Sequence, residues 1–176
     1  MIDLDKDERI DDLQFNNLML VQNKNKYCFT SDAVLLANFC KCNKEDTIVD
    51  LCSGSGIVGI LAQAKNNAKH LIMVELQEDL VKMCEKSIVL NKLENVKLIH
   101  APIQNVNKQI GNNFNVVVCN PPYKTPASGK VSDNYNIAIC KHEITVTLKE
   151  IINESSKLLK FGGAFYTINK SENLTD

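Results

Sequence analysis

Three observations in the sequence predict an α/β fold, a mostly parallel sheet with helices on both faces. Short β-branched runs alternate with helix-spaced apolar stretches along most of the 176 residues. A glycine-rich turn, Gly54-Ser-Gly-Ile-Val-Gly59, separates one such run from a helical stretch. Asp50, Glu75, Ala101 and Asn120 all fall at or just past strand ends, so they are expected to line one crevice. In open α/β sheets ligands bind there, where strand order reverses.

Taken in order, residues 1–12 are dense in charge and read as a frayed terminus. Leu18-Met-Leu-Val21 and Tyr27-Cys-Phe29, around Asn23-Lys-Asn-Lys26, suggest a short hairpin with a polar turn. Thr30-Ser31-Asp32 supplies N-cap residues for a helix over 32–40. Residues 1–40 thus form a hairpin-and-helix preface to a core at 41–176, all within one structural domain. In the core, Thr47–Asp50 is a strand, 51–56 a turn and Ile57–Lys65 a helix. His70–Glu75 is the next strand. Leu80, Val81, Cys84, Ile88 and Val89 set a helix over Gln77–Asn91. Strands follow at Asn95–His100 and Phe114–Cys119. A polar segment, 124–141, precedes a helix over 144–159, which Gly162-Gly163 is expected to stop before a last strand, Ala164–Ile168.

Composition narrows the function classes. The hydrophobic fraction, 44%, is ordinary for a globular chain, and no apolar run is long enough to span a bilayer. The N-terminus, Met1-Ile-Asp-Leu-Asp-Lys-Asp-Glu8, has no apolar signal region. Seven cysteines without a Cys-x-x-Cys pair, and with Cys40-Lys-Cys42 too tight for zinc, read as reduced thiols of a cytoplasmic protein without a metal site. The net charge of −1 means that any nucleic-acid contact must come from a local patch. Arg9 is the only arginine, which disfavours bidentate reading of duplex bases.

The chemistry gathers at two turns. Gly54-x-Gly-x-x-Gly59 opens a helix after a strand, and Glu75 stands sixteen residues beyond it, as in a dinucleotide site. Asp50, four residues before Gly54, argues otherwise: a carboxylate repels a pyrophosphate and attracts a cationic ligand such as the ammonium and sulfonium of S-adenosylmethionine. Glu75 can accept from both hydroxyls of a ribose. Gly54 and Gly56 let the backbone approach a ligand. The plainer alternatives are a helix-capping Asp50 and a solvated Glu75.

The second turn is Asn120-Pro-Pro-Tyr123. Two prolines end the preceding strand, since neither donates to a ladder. The loop offers Asn120 Oδ1 and the Pro121 carbonyl as acceptors for an amino group, with Tyr123 to stack on its plane. A simple strand-capping Pro-Pro turn is the alternative.

With Asp50-Leu-Cys-Ser-Gly-Ser-Gly56, Glu75 and Asn120-Pro-Pro-Tyr123 in this order, the chain resembles the Rossmann-like class I S-adenosylmethionine-dependent methyltransferases that methylate amino groups. Gln22, Tyr27-Cys-Phe-Thr-Ser-Asp-Ala-Val-Leu-Leu-Ala37 and His142-Glu143 are similar to segments of the bacterial valine-tRNA adenine-N6 methyltransferases. The resemblance covers residues 13–170. It implies that Asp50, Gly54 and Gly56 hold the methionine part of the cofactor and Glu75 its ribose, with Cys52, Leu76 and Asn120 also in the cofactor site. Ala101, Pro102 and Ile103 would take its adenine, and Asn120, Pro121 and Tyr123 the target amine. Pro122, Lys124, Lys130, Tyr135 and Lys141 are the candidate RNA contacts, joined at a phosphate-binding rim by Lys24 and Lys26; a solvated loop is the plainer reading of each lysine.

The sequence departs from the family in two places. His100-Ala-Pro-Ile103 replaces the acid many relatives carry after the third core strand. The family's last antiparallel hairpin is also missing from the expected elements, leaving Ala164–Ile168 as an open apolar edge. The resemblance implies methyl transfer to adenine N6 in tRNA. Protein glutamine, rRNA guanine N2 and DNA adenine are alternative substrates, and a cofactor-binding fragment without turnover is the non-enzymatic one. Neither a membrane nor a metal is expected as a partner.

Overall fold

The structure, a computed structural model, describes residues 2–26, 28–121 and 146–169. Expectations for Tyr27, Pro122, Tyr123, Lys124, Lys130, Tyr135, Lys141, His142 and Glu143 lie outside these residues.

Five parallel strands form the main sheet, β3 (Thr47–Leu51), β4 (His70–Glu75), β5 (Val96–His100), β6 (Phe114–Cys119) and β7 (Leu159–Thr167), in the order β5-β4-β3-β6-β7. The order reverses between β3 and β6, so the turn after β3 and the residues after β6 emerge side by side.

Period-two alternation splits the core between the two faces of the sheet. Ile48, Leu71, Met73, Val116 and Val118 pack under α1 (Ser31–Phe39), α2 (Ile57–Asn66) and Cys84 of α3 (Glu78–Leu90). Val49, Leu51, Val74, Val117 and Cys119 pack on the other face, with Val106, Ile151 and Leu158. These last come from the segment around α4 (Asn107–Ile110), a short helix the sequence reading lacked, and from α5 (Leu148–Leu158).

Residues 1–12 are not simply frayed. Glu8–Asp12 is a strand, β1, antiparallel to β2 (Met19–Asn23), and the expected strand at 27–29 is absent from the described residues 28 and 29. The connection is the 13–18 loop, closed by Leu13 N–H to Leu18 O at 2.9 Å. β1 has little strand propensity of its own. It is held because Leu20, Val21 and Gln22 of β2 are fully buried and need one backbone edge paired. The other edge of β2 is closed by α3: Ser87 Oγ accepts from Val21 N–H (2.9 Å), and the Asn91 carboxamide exchanges two bonds with the Met19 backbone (2.8 and 2.6 Å).

The last helix also differs from the expectation. It begins at Leu148 because Thr147 and Glu150 form a capping box. It ends at Leu158, and the chain passes straight into β7, so Gly162-Gly163 does not stop it. The two glycines sit in a bulge, where Phe114 pairs with Leu159 but Val116 with Ala164. Gly162 takes φ +76°, and a Cβ on Gly163 would lie 3.1 Å from Asn115 O. Among the described residues β7 pairs only with β6, leaving its outer edge open, and no helix is long and apolar enough to cross a membrane.

Candidate active site

The turn after β3 is built by mutual constraint. Cys52 and Gly54 have positive φ (56° and 57°), and Gly56 stands at 92° as the N-cap of α2. Gly56 is demanded by protein packing: a Cβ there would meet Cys84 Sγ at 2.8 Å and Met73 Sδ at 3.2 Å. Packing thus gives this glycine a reason of its own beside the expected approach of a ligand to its backbone. Around Gly54 that direction is open, with nothing within 4 Å. Gly59, the third glycine, lets α2 lie against β3; its Cβ would stand 2.9 Å from Asp50 Oδ2.

Asp50 is 1% exposed. Its Oδ2 accepts from Gly59 N–H in the first turn of α2 at 2.8 Å, so the helix-capping reading describes one oxygen. Its Oδ1 is buried and has no hydrogen-bond partner among the described residues. Burial pushes the carboxyl up to about 8, against the Gly59 amide, and the charge of Glu75 adds to the rise. Such a group suits a cationic partner, which would repay the desolvation of its charged form.

Glu75 is not a solvated acid either. It is 5% exposed, with Oε2 accepting from Gly54 N–H (2.7 Å) and Oε1 from Gln77 N–H (2.8 Å). Burial raises its pKa, opposed chiefly by the Gln77 and Gly54 amides. The carboxylate therefore ties the glycine turn to the start of α3, and each oxygen keeps a lone pair for a further donor.

The segment after β5 is more enclosed than its sequence suggests. Ala101 is buried and its N–H bonds Glu75 O at 3.0 Å. Pro102 is exposed, whereas Ile103 packs into the core with Val49 and Val106. His100 Nε2 lies 3.0 Å from Leu76 O, joining the ends of β4 and β5; Leu76 itself is exposed.

Asn120 and buried Pro121 follow β6. Asn120 Oδ1 is a second buried acceptor without a partner among the described residues. Asn120 lines one small cavity, about 30 Å³, together with Cys52, Ser53, Gly54 and Ser55 of the turn. The glycine turn and the amide thus share a crevice. Phe29 and Ala33, and Ile57 and Val58 of α2, none of them expected in the site from the sequence, also line it. Cys119, fully buried, has its pKa pushed well up by its hydrogen bond with Cys52 and by burial, which disfavours a nucleophilic thiolate. Lys24 and Lys26 are engaged with Asp7 and Asp79, so the expected cationic rim is partly neutralised. No cluster able to hold a metal occurs among the described residues.

A family profile described as methyltransferase small domain matches residues 13–174. The chain belongs to the methyltransferase small domain family. Curated relatives of this chain include tRNA1(Val) (adenine(37)-N6)-methyltransferases. That of Shewanella woodyi is 28% identical over 151 residues, covering 83% of this chain and 61% of the relative. That of Shewanella frigidimarina is 31% identical, covering 74% and 53%. A release factor glutamine methyltransferase of Mycoplasma mycoides is 33% identical over 90 residues, half of this chain and 31% of the relative. The chain thus spans under two thirds of the length of these relatives. The crystal structure of Pyrococcus horikoshii TYW2 in complex with MeSAdo shares the fold, with a TM-score of 0.65 at 13% identity, covering 94% of this chain and 53% of that one.

Proposed function

We propose that this methyltransferase transfers a methyl group from S-adenosylmethionine to an exocyclic amino nitrogen, adenine N6 of a tRNA. The observation that carries the reading is the shared crevice: Gly54 and Asn120 line the same cavity, and Asn120 Oδ1 is a buried acceptor with no partner among the described residues. The names of the Shewanella relatives favour tRNA adenine as the acceptor.

In this reading Asp50 Oδ1 takes the ammonium of the methionine part, with Cys52, Gly54 and Gly56 contributing backbone at the turn. Glu75 accepts from the ribose hydroxyls while Gly54 and Gln77 hold it in place. Ala101 and Pro102 bound the adenine, with Leu76 across from them. The cofactor supplies an electrophilic methyl on a sulfonium. The rest is positioning. Asn120 Oδ1 and the Pro121 carbonyl each accept a hydrogen of the target amine. That draws the nitrogen toward a pyramidal form whose lone pair faces the methyl. No strong base is needed, since the nitrogen becomes acidic only once methylated. A base in a stacked duplex must be splayed out first, which is easiest in an RNA loop.

The test is mass spectrometry of nucleosides from tRNA incubated with the protein and S-adenosylmethionine. N6-methyladenosine is expected from the wild type and is lost in Asn120→Ala, which keeps its affinity for S-adenosylhomocysteine. Equal loss of affinity in that variant makes Asn120 a structural residue. Methylation of a release-factor peptide in place of tRNA selects the glutamine reading, and cofactor binding without transfer to either selects the fragment without turnover.

A further inference from the structure

Part of the cavity wall comes from the N-terminal segment, and one buried amide bonds its backbone there. Gln22 is 0% exposed in β2. Its Oε1 accepts from Phe29 N–H at 3.1 Å, and its Nε2 donates to Val21 O at 3.2 Å. Phe29 lines the cavity shared by Gly54 and Asn120. Residues 28–30 carry no regular structure that would fix Phe29 through a ladder. β2 is anchored to α3 through Ser87 and Asn91, and α3 begins just after Glu75. The carboxylate that ties the glycine turn and the amide that ties Phe29 therefore sit on one rigid unit.

We propose that Gln22 is a positioning residue for methyl transfer: its buried carboxamide sets Phe29 as the wall against which a planar amine-bearing ring rests while Asn120 accepts from its amino group. The inference deepens the proposed function and rests on it for the identity of the acceptor. An aromatic surface suits a conjugated ring, and a wall held by a hydrogen bond to a buried carboxamide orients the ring at little entropic loss. A Gln22→Met substitution keeps the volume and removes the acceptor.

The expected signature separates positioning from folding. Gln22→Met and Phe29→Leu keep S-adenosylhomocysteine affinity within about threefold by calorimetry. Both lose about tenfold or more in transfer to tRNA. The double variant is no worse than the weaker single one, because the two residues act as a unit. A parallel readout uses 2-aminopurine riboside, a fluorescent purine with an amino group on a ring carbon, titrated into the S-adenosylhomocysteine complex. Its quenching is expected in the wild type and weakened about tenfold in each variant. If the wild type methylates no tRNA yet quenches the riboside in a Gln22-dependent way, the acceptor assignment fails and the positioning role stands. The role is overturned if Gln22→Met leaves both readouts unchanged, if its loss multiplies with that of Phe29→Leu, or if the wild type fails to quench the riboside.

Discussion

Replacing Asp50 by asparagine is expected to make the ligand-free protein more stable and the cofactor bind less well. The carboxylate is 1% exposed, one oxygen rests on the Gly59 amide, and the other has no partner among the described residues. Asparagine keeps the shape and the acceptor for Gly59 but carries no charge. The carboxyl is pushed from 3.8 up to about 8, which at ~1.4 kcal/mol per tenfold in acidity sets a ceiling of ~6 kcal/mol on the penalty of ionising it in the fold. Water entering the crevice relaxes much of this, so about a third, ~2 kcal/mol, is the working figure. The sign follows from linkage. Because the folded-state value is raised, stability is fully present below about 4 and is lost as pH rises through about 8. The Asp50→Asn variant therefore gains little at pH 4 and about 4–8 °C in Tm at pH 9. Loss of a charge-assisted hydrogen bond to the ligand ammonium lowers S-adenosylhomocysteine affinity by roughly 10- to 100-fold. Calorimetry at pH 7 in buffers of different ionisation enthalpy should show proton release on binding in the wild type and none in the variant. A variant that is less stable at pH 9 and binds as tightly as the wild type would refute the reasoning, leaving Asp50 as a helix cap alone.

Three further substitutions test the scaffold. Gly59→Ala places a Cβ 2.9 Å from both Asp50 Oδ2 and Leu71 Cδ1, so urea unfolding should show a loss of about 1–3 kcal/mol from overpacking; an unchanged midpoint contradicts the close approach of α2 to β3. Asn91→Ala orphans the Met19 backbone and should cost about 1–3 kcal/mol, with hydrogen exchange rising first in β2. Exchange rising evenly over the chain would show that α3 does not clamp β2. Thr147→Ala breaks the capping box and should lower stability by about 1 kcal/mol, checked by thermal unfolding, with Thr147→Ser recovering most of it.

The strand-turn-helix text of the core was legible because it is local. Thr47–Asp50, His70–Glu75 and Phe114–Cys119 are apolar runs bounded by charge or proline, and the observed strands match them to within a residue. The placement of the candidate site residues was legible for the same reason, since Asp50, Gly54, Glu75 and Asn120 stand at or just past strand ends whatever order the strands take. Illegible elements had their cause elsewhere in the chain. Glu8–Asp12 has one apolar residue, Ile10, which is 44% exposed, and is a strand only because buried β2 needs an edge partner. Gly162-Gly163 looks like a helix stop, yet Leu158 already ends the helix and the glycines absorb a register shift against β6.

The sequence by itself determined that a carboxylate, a flexible turn and a proline-bounded amide would follow successive strands, because composition and period set where strands stop. Only the tertiary structure decided that β3 and β6 lie side by side, so that Gly54 and Asn120 border one cavity, and that Phe29 comes across from the N-terminal ribbon to close it. The physical reason is range. Backbone conformation and alternation are written into neighbours a few residues apart, whereas the burial of Asp50 Oδ1 and the seating of Phe29 on Gln22 depend on which elements meet, settled by packing among residues tens of positions apart.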